Sequence, residues 1–126
     1  MQAIATPNAP TAAGHYSQAI VHNGLVYVAG QLPIDPADRN RPLGNIEEQT
    51  ERTLRNVEAI LVAAGSGLDR VLQMTIYISD IELWGTVNTT YARVMGAHKP
   101  ARAVVPVKDL HHGYQIEIQA IAAVGA

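Results

Sequence analysis

Residues 45–79 read NIEEQTERTLRNVEAILVAAGSGLDRVLQMTIYIS, and the spacing of the apolar side chains changes within this segment from a helical to a strand period. Asn45 and Glu48 have the spacing of a capping box, in which each side chain bonds the backbone N–H of the other residue. Gly65 can adopt the left-handed conformation that ends a helix. The segment therefore predicts a helix over residues 46–64.

Residues 70–79, which follow this helix, alternate between apolar and polar side chains. Alternation with a period of two is typical of a strand that has one buried face. One face is predicted to carry Leu72, Met74, Ile76 and Ile78, and the other Gln73, Thr75 and Tyr77.

Turn and capping residues define the neighbouring elements. Asn23-Gly24 lies between two β-rich runs in residues 18–30, and this dipeptide is a strong signal for a β-hairpin. Asp80 can begin a second helix and Gly96 can end it. The buried stripe predicted for this helix consists of Trp84, Val87, Tyr91 and Val94.

Residues 101–107 and 114–124 read as two further strands, which gives the order ββαβαββ. This order predicts an α+β fold, with two helices on one face of a mixed sheet, and a single domain over residues 1–126. The second face is too apolar to remain in water, so we expect a homo-oligomer with clefts between subunits. The residues assigned to that face are Leu25, Tyr27, Gln73, Thr75, Tyr77, Arg102, Val104, Gln115, Glu117 and Gln119.

Composition narrows the function classes. With 48% apolar and 16% charged residues the chain is typical of a globular protein, and its net charge of −2 disfavours a nucleic-acid partner. The absence of cysteine excludes disulfides, thiol nucleophiles and thiolate metal sites. No apolar run approaches the ~18 residues of a membrane span. The N-terminus lacks a signal-peptide pattern, so we expect a cytoplasmic location.

Arg102 and Glu117 lie in the last two predicted strands, which we expect to pair with each other. A guanidinium and a carboxylate would then meet on one face of the sheet. They could form a cross-strand ion pair that adds about 0.2–1 kcal/mol to stability. They could instead hold a small carboxylate substrate beside a positioned water, because a charge among apolar neighbours is costly without a partner or a task. Pro106 cannot donate to a ladder, which predicts an edge or a bulge there.

Other polar positions have ordinary structural explanations as well as functional ones. A tyrosine near a strand start, such as Tyr16, usually packs with its hydroxyl in water. Asn88, inside a helix, either faces solvent or bonds a specific group. The backbone at Ala29-Gly30-Gln31 could bind an anion or a carbonyl oxygen. The five histidines lack metal-ligand spacing, so no metal site is predicted.

Over nearly its whole length the chain resembles the RidA/YjgF family of enamine/imine deaminases. The Pro-Ala-Arg block, followed at a set distance by glutamate, is the most specific part of this resemblance. The matching segments are Ala13-Gly14-His15-Tyr16-Ser17-Gln18-Ala19, Ala29-Gly30-Gln31, Leu54-x-Asn56, Asn88-x-x-Tyr91, Pro100-Ala101-Arg102 and Ile116-Glu117-Ile118.

The resemblance implies a chorismate-mutase-like fold, a homotrimer with active sites between subunits, and no cofactor or metal. Arg102 would hold the substrate carboxylate through its guanidinium fork, and Glu117 would position the attacking water. Tyr16 would be a further catalytic residue, and it would line the same pocket with Gly30 and Asn88.

The reaction that the resemblance implies is hydrolytic deamination of 2-imino or 2-enamino acids, of the 2-aminoacrylate and 2-aminocrotonate type, to 2-keto acids and ammonia. Ala29, a further pocket position, stands where archetypal deaminases carry a serine. Two alternatives therefore stay open, a deaminase of a larger catabolic enamine such as 2-aminomuconate and a non-catalytic trimeric binder of small keto acids. Some relatives are labelled endoribonucleases, but the negative net charge disfavours that activity here.

Overall fold

A computed structural model describes residues 1–125 and contains six strands and two helices in the order βββαβαββ. The predicted α+β class is confirmed. The first strand is an addition to the predicted order, because a run of three residues carries too little periodicity to be recognised. The elements are β1 (Gln2–Ile4), β2 (Ala19–His22), β3 (Leu25–Gln31), α1 (Ile46–Ala63), β4 (Val71–Ile78), α2 (Trp84–Met95), β5 (Ala101–Pro106) and β6 (Ile116–Ala123).

Helix α1 begins and ends within one residue of its predicted bounds. The Glu48 backbone N–H donates to Asn45 Oδ1 at 2.8 Å, and the Asn45 N–H donates to Glu48 Oε1 at 3.2 Å. Gly65 follows the helix with a positive φ of 81°. The fully buried apolar residues of α1 are Leu54, Val57, Ile60 and Leu61. Neither α1 nor any other helix within residues 1–125 combines the length and apolarity needed to cross a bilayer.

The strand order across the sheet is β1-β2-β3-β6-β4-β5. Strands β2 and β3 form the predicted hairpin, and both turn residues, Asn23 and Gly24, have positive φ, of 50° and 77°. Strand β5 runs parallel to β4, while the other neighbours are antiparallel, so the sheet is mixed as predicted. Because β5 pairs only with β4, Pro106 lies on an edge strand.

Strand β4 lies between β5 and β6, so the expected pairing of the last two strands is wrong. Glu117 is opposite Tyr77, whereas Arg102 is opposite Met74. Met74 is fully buried beneath the helices, and a residue three positions along a strand points the other way. Arg102 therefore faces the helix layer and Glu117 faces away from it. The prediction that these side chains meet on one face of a single chain is wrong, because the crossover through α2 places β5 outside β4.

Strand β4 also departs from simple alternation at its start. Its register with β6 shifts between Val71 and Gln73, and Leu72 is 50% exposed instead of sharing the buried face. A β-bulge has this effect because its extra residue has no partner across the ladder. The inward positions of β4 that match the prediction are Met74, Ile76 and Ile78.

The face of the sheet opposite the helices is uncovered within residues 1–125. Tyr27 is 44% exposed on this face, and Tyr77 and Ile121 are only partly buried. Three residues assigned to this face lie elsewhere: Arg102 and Val104 face the helices, and the Gln115 side chain accepts a 3.2 Å hydrogen bond from Gln49 of α1.

Candidate active site

Arg102 lies at the edge of the sheet beside one face of α2. Its Nη1 donates a 2.9 Å hydrogen bond to Asn88 Oδ1. The guanidinium carbon is 4.9 Å from the centre of the Tyr91 ring and 5.9 Å from the centre of the Trp84 ring, both within cation–π range. Trp84, Asn88 and Tyr91 follow one another at spacings of four and three residues, so they share a helix face. Three side chains of α2 therefore orient the guanidinium.

No carboxylate within residues 1–125 forms an ion pair with Arg102; the ion pairs of the chain involve Arg41, Arg55 and Arg93. The Asn88 amide and the aromatic rings leave the positive charge uncompensated. They also leave N–H donors of the guanidinium available. A planar fork in this state suits a carboxylate ligand, which can accept two parallel hydrogen bonds.

Glu117 lies on the opposite face of the sheet, against Gly30. A Cβ built on Gly30 would lie 2.0 Å from Glu117 Oε2, so glycine leaves the space that the carboxylate occupies. The register of β3 and β6 shifts between Val28 and Gln31, and this irregularity contains Gly30. Burial raises the pKa of Glu117, and the charge of His111 partly opposes that shift.

The Glu117 carboxylate has no hydrogen bond or ion pair in the part of the chain that the structure describes. A partly buried carboxylate with a raised pKa is a stronger base than a solvated one, and its protonated form persists to a higher pH, so it is still present to donate the proton in a later step. These are the properties of a general base that later acts as a general acid.

The corner that holds Gly30 is fixed by a residue that the sequence did not single out as functional. Gln31 is buried, and its side-chain amide donates to the carbonyl oxygens of Ala29 and Gly30 at 3.1 and 3.4 Å. The Ala29 N–H donates to the Gln18 carbonyl at 2.9 Å. These hydrogen bonds orient the backbone at Ala29 and Gly30, and Gly30 lies against the Glu117 carboxylate.

Tyr16 is joined to neither charged group. Its ring is 53% exposed, and its hydroxyl accepts a 3.4 Å hydrogen bond from the Ala13 N–H. Two cavities of about 420 and 480 Å³ open elsewhere on the chain surface, and neither is lined by Arg102 or Glu117. One chain therefore presents two separate groups, Arg102 with Asn88 and Glu117 with Gly30, on opposite faces of one sheet.

The aromatic neighbours of Arg102 were predicted only as core residues. Tyr91 is 6% exposed as predicted, but Trp84 is 41% exposed, so its place in the buried stripe is wrong. Their spacing of four and three residues around Asn88 was visible in the sequence. This spacing could not be connected with Arg102 until the place of β5 in the sheet was known.

These features define a class: a small α+β protein with an arginine that lacks an ion-pair partner and a glutamate with a raised pKa. Residues 6–124 match the family described as endoribonuclease L-PSP. The chain therefore belongs to this family, which contains the RidA/YjgF proteins, and the resemblance seen in the sequence is confirmed.

Individual relatives agree with this assignment. A RutC family protein of Pyrococcus horikoshii is 43% identical, and the match covers 96% of both chains. The 2-iminobutanoate/2-iminopropanoate deaminase of Rattus norvegicus is 39% identical over 97% of this chain and 89% of its own. The crystal structure of a Rid family protein of unknown function from Yersinia pestis is 41% identical with a TM-score of 0.94, and 98% of each chain is covered.

Proposed function

We propose that the protein is a hydrolytic deaminase of 2-imino and 2-enamino acids, with each active site shared between two subunits of a homotrimer. The observation that carries this proposal is the uncompensated Arg102 guanidinium, held in place by Asn88 and Tyr91. Such a group fits the carboxylate that every 2-imino acid carries. The deaminase named among the relatives supports the same reaction class.

A site shared between subunits is proposed because Arg102 and Glu117 lie on opposite faces of the sheet. Arg102 and Glu117 are separated within one chain by strand β4, that is, by about two strand spacings of ~4.8 Å, and point in opposite directions. A substrate of a few carbon atoms cannot touch both groups there. When a neighbouring copy covers the open face of the sheet, its Arg102 edge can be brought to Glu117. Tyr16, Ala29 and Gly30 would line the Glu117 side and Asn88 the Arg102 side.

The chemistry uses these groups in sequence. Arg102 binds the carboxylate and fixes the imine carbon relative to a water held by Glu117. The water oxygen forms a bond to the carbon of the protonated imine, the iminium, while Glu117 takes one proton of the water, which gives a neutral carbinolamine. Glu117 then returns this proton to the amino nitrogen. The carbon–nitrogen bond breaks, the hydroxyl group gives its proton back to the Glu117 carboxylate as the carbonyl forms, and a 2-keto acid and ammonia remain. The iminium carbon is already electrophilic, so Arg102 and Glu117 suffice for this sequence.

A coupled assay tests the proposal. Threonine dehydratase generates the 2-enamino acid in place, and semicarbazide traps whatever imine the protein has not hydrolysed. We expect the wild-type protein to reduce trapping and the Arg102→Ala variant to lose that effect by at least about 10²-fold, because a positioning contact is gone. The matched control is Arg93→Ala on helix α2, where Arg93 pairs with Glu47 and Glu51 at the protein surface.

Other outcomes identify other functions. If the protein binds 2-ketobutyrate tightly but never reduces trapping, it is a binder and the proposed deaminase is wrong. If 2-aminomuconate alone decays faster, the protein is a catabolic deaminase of larger enamines. Equal activity of Arg102→Ala and wild type would contradict the role of the arginine.

A further inference from the structure

Trp84 is the exposed end of the helix face that surrounds Arg102. Along this face the exposed fraction falls from 41% at Trp84 to 6% at Tyr91, with Asn88 partly buried between them. Tyr91 therefore closes the buried side of the guanidinium, and Trp84 stands on the side nearest to solvent. A ligand that reaches Arg102 from solvent meets the indole first.

We propose that the Trp84 indole is the contact that selects the substrate side chain, and that it favours 2-imino acids with extended aliphatic side chains over 2-iminopropanoate. That the ligand carries an imino group rests on the proposed function, whereas the contacts of its carboxylate with Arg102 and of its side chain with Trp84 do not. A carboxylate bonded to the fork lies ~2.9 Å from the guanidinium nitrogens. The indole centre is 5.9 Å from the guanidinium carbon, so a chain of three or four carbons can lie against the ring while a methyl group covers little of it.

The other side chains around Arg102 point to the same ligand chemistry. Val104 follows Arg102 by two residues on the same face of β5 and is partly buried against the core. Asn88 has its amide oxygen engaged by the guanidinium. An apolar substituent would replace water on the indole and near Val104, which stabilises the complex in proportion to the area buried.

The chain offers a direct probe, because Trp84 is its only tryptophan. Wild-type protein is titrated with pyruvate, 2-oxobutanoate, 2-oxopentanoate and 2-oxohexanoate. Tryptophan fluorescence is recorded with excitation at a wavelength that tyrosine does not absorb. We expect a saturable blue shift that grows with chain length. We also expect affinity to rise about four-fold per added methylene, which is on the order of 60-fold from pyruvate to 2-oxohexanoate.

Trp84→Ala, followed by calorimetry, is expected to bring the ratio of the pyruvate and 2-oxohexanoate dissociation constants close to one. Trp84→Phe, which keeps an aromatic face, is expected to retain most of the ratio, which would assign the loss in the alanine variant to the missing ring. Arg102→Ala should abolish binding of all four acids. Dissociation constants that do not change with chain length, or binding without any change in tryptophan emission, would overturn the inference.

Activity and tryptophan emission together distinguish a wrong role for Trp84 from a wrong function of the protein. Deaminase activity with no preference for side-chain length and a silent tryptophan would leave the function standing and refute the selection by Trp84. A length-dependent response of Trp84 to the 2-keto acids without turnover of any imine would refute the deaminase and leave the side-chain contact standing.

Discussion

The Glu117 carboxylate fills the space that a side chain at position 30 would need, since a Cβ on Gly30 would lie 2.0 Å from Oε2. The conflicting atom is the end of a flexible side chain, so a larger residue at position 30 would turn the carboxylate away and leave the strand in place. Gly30 therefore determines where the proposed base points.

We predict that Gly30→Ala lowers kcat/KM by about 10²-fold, because displacement of a catalytic group by about 1 Å has costs of that size. Steady-state rates in the coupled assay, with far-UV circular dichroism to confirm folding, measure this. Gly85→Ala is the control, because a Cβ at that helical position meets no atom within 4 Å. Unimpaired activity of the Gly30→Ala variant would contradict the role proposed for Glu117.

Mixed subunits can reveal whether Arg102 and Glu117 act from different chains. Arg102→Ala and Glu117→Gln should each be inactive alone. The two variants are then unfolded and refolded together. About a quarter of the sites should have an intact Arg102 from one chain and an intact Glu117 from its neighbour, because random assortment supplies each intact residue with a probability of one half. Recovered activity near that fraction supports the shared site. No recovery in a correctly assembled mixture would contradict it.

The raised pKa of Glu117 has consequences for activity and stability. The proposed base must be ionised to act, so kcat/KM should fall with decreasing pH, and this fall should begin at a pH above the ordinary glutamate pKa of 4.5. The folded chain holds this proton more tightly than the unfolded chain does. The stability that this contributes is complete below pH 4.5 and is lost as the pH rises through the raised pKa.

Glu117→Gln, which stays neutral, should therefore lose less stability than wild type as the pH rises above 4.5. Urea unfolding at a series of pH values measures the difference. The control is Glu58→Gln, since Glu58 is a partly exposed residue paired with Arg55. Parallel stability curves for wild type and Glu117→Gln would show that burial does not perturb this carboxyl.

The Tyr91 hydroxyl is buried and has no hydrogen-bond partner within residues 1–125. Tyr91→Phe keeps the ring against Arg102, so we predict unchanged activity and a free energy of unfolding equal to or up to about 1 kcal/mol above wild type. Tyr91→Leu removes the ring and should raise KM several-fold with a smaller change in kcat. Loss of activity in the phenylalanine variant would assign the hydroxyl a role in the reaction.

Asn56 connects α1 to the segment that follows the Gly30 corner. Its buried side-chain amide donates to the carbonyl oxygens of Leu32 and Ile34 at 3.0 and 2.8 Å. Asn56→Ala leaves both carbonyls without this partner and should lower the free energy of unfolding by about 2–3 kcal/mol, measured in urea at one protein concentration. The exposed Asn40→Ala should stay within about 0.5 kcal/mol of wild type. A similarly small effect at Asn56 would contradict the structural role of these bonds.

Elements defined by local chemistry were predicted well from the sequence. The capping box at Asn45 places the start of α1, and Asn23-Gly24 places the β2–β3 turn, because both depend on residues only a few positions apart. The bulge at Leu72 and the exposure of Trp84 were missed. Periodicity describes an average over an element and cannot show where one residue leaves the ladder or where a helix end emerges into solvent.

The assignment of Arg102, Glu117, Gly30 and Asn88 to a site stays a prediction, made from residue types for the first two and from the family resemblance for Gly30 and Asn88. The hydrogen bond between Arg102 and Asn88 was not predicted. The contact depends on where the crossover through α2 sets down β5, which is decided by packing between segments far apart in the chain.

Local residue patterns were enough for most helix and strand types, the capping box of α1, the β2–β3 hairpin and a set of candidate reactive residues. The predicted start of the second helix at Asp80 is wrong, because Asp80 caps a short 3₁₀ turn over Ile81–Leu83 and α2 begins at Trp84. Only the tertiary structure decided which strands are neighbours and on which face of the sheet each side chain lies. A period of two says that alternate residues share a face but leaves open which face that is. One inserted strand, β4, was sufficient to put Arg102 and Glu117 on opposite sides of the sheet.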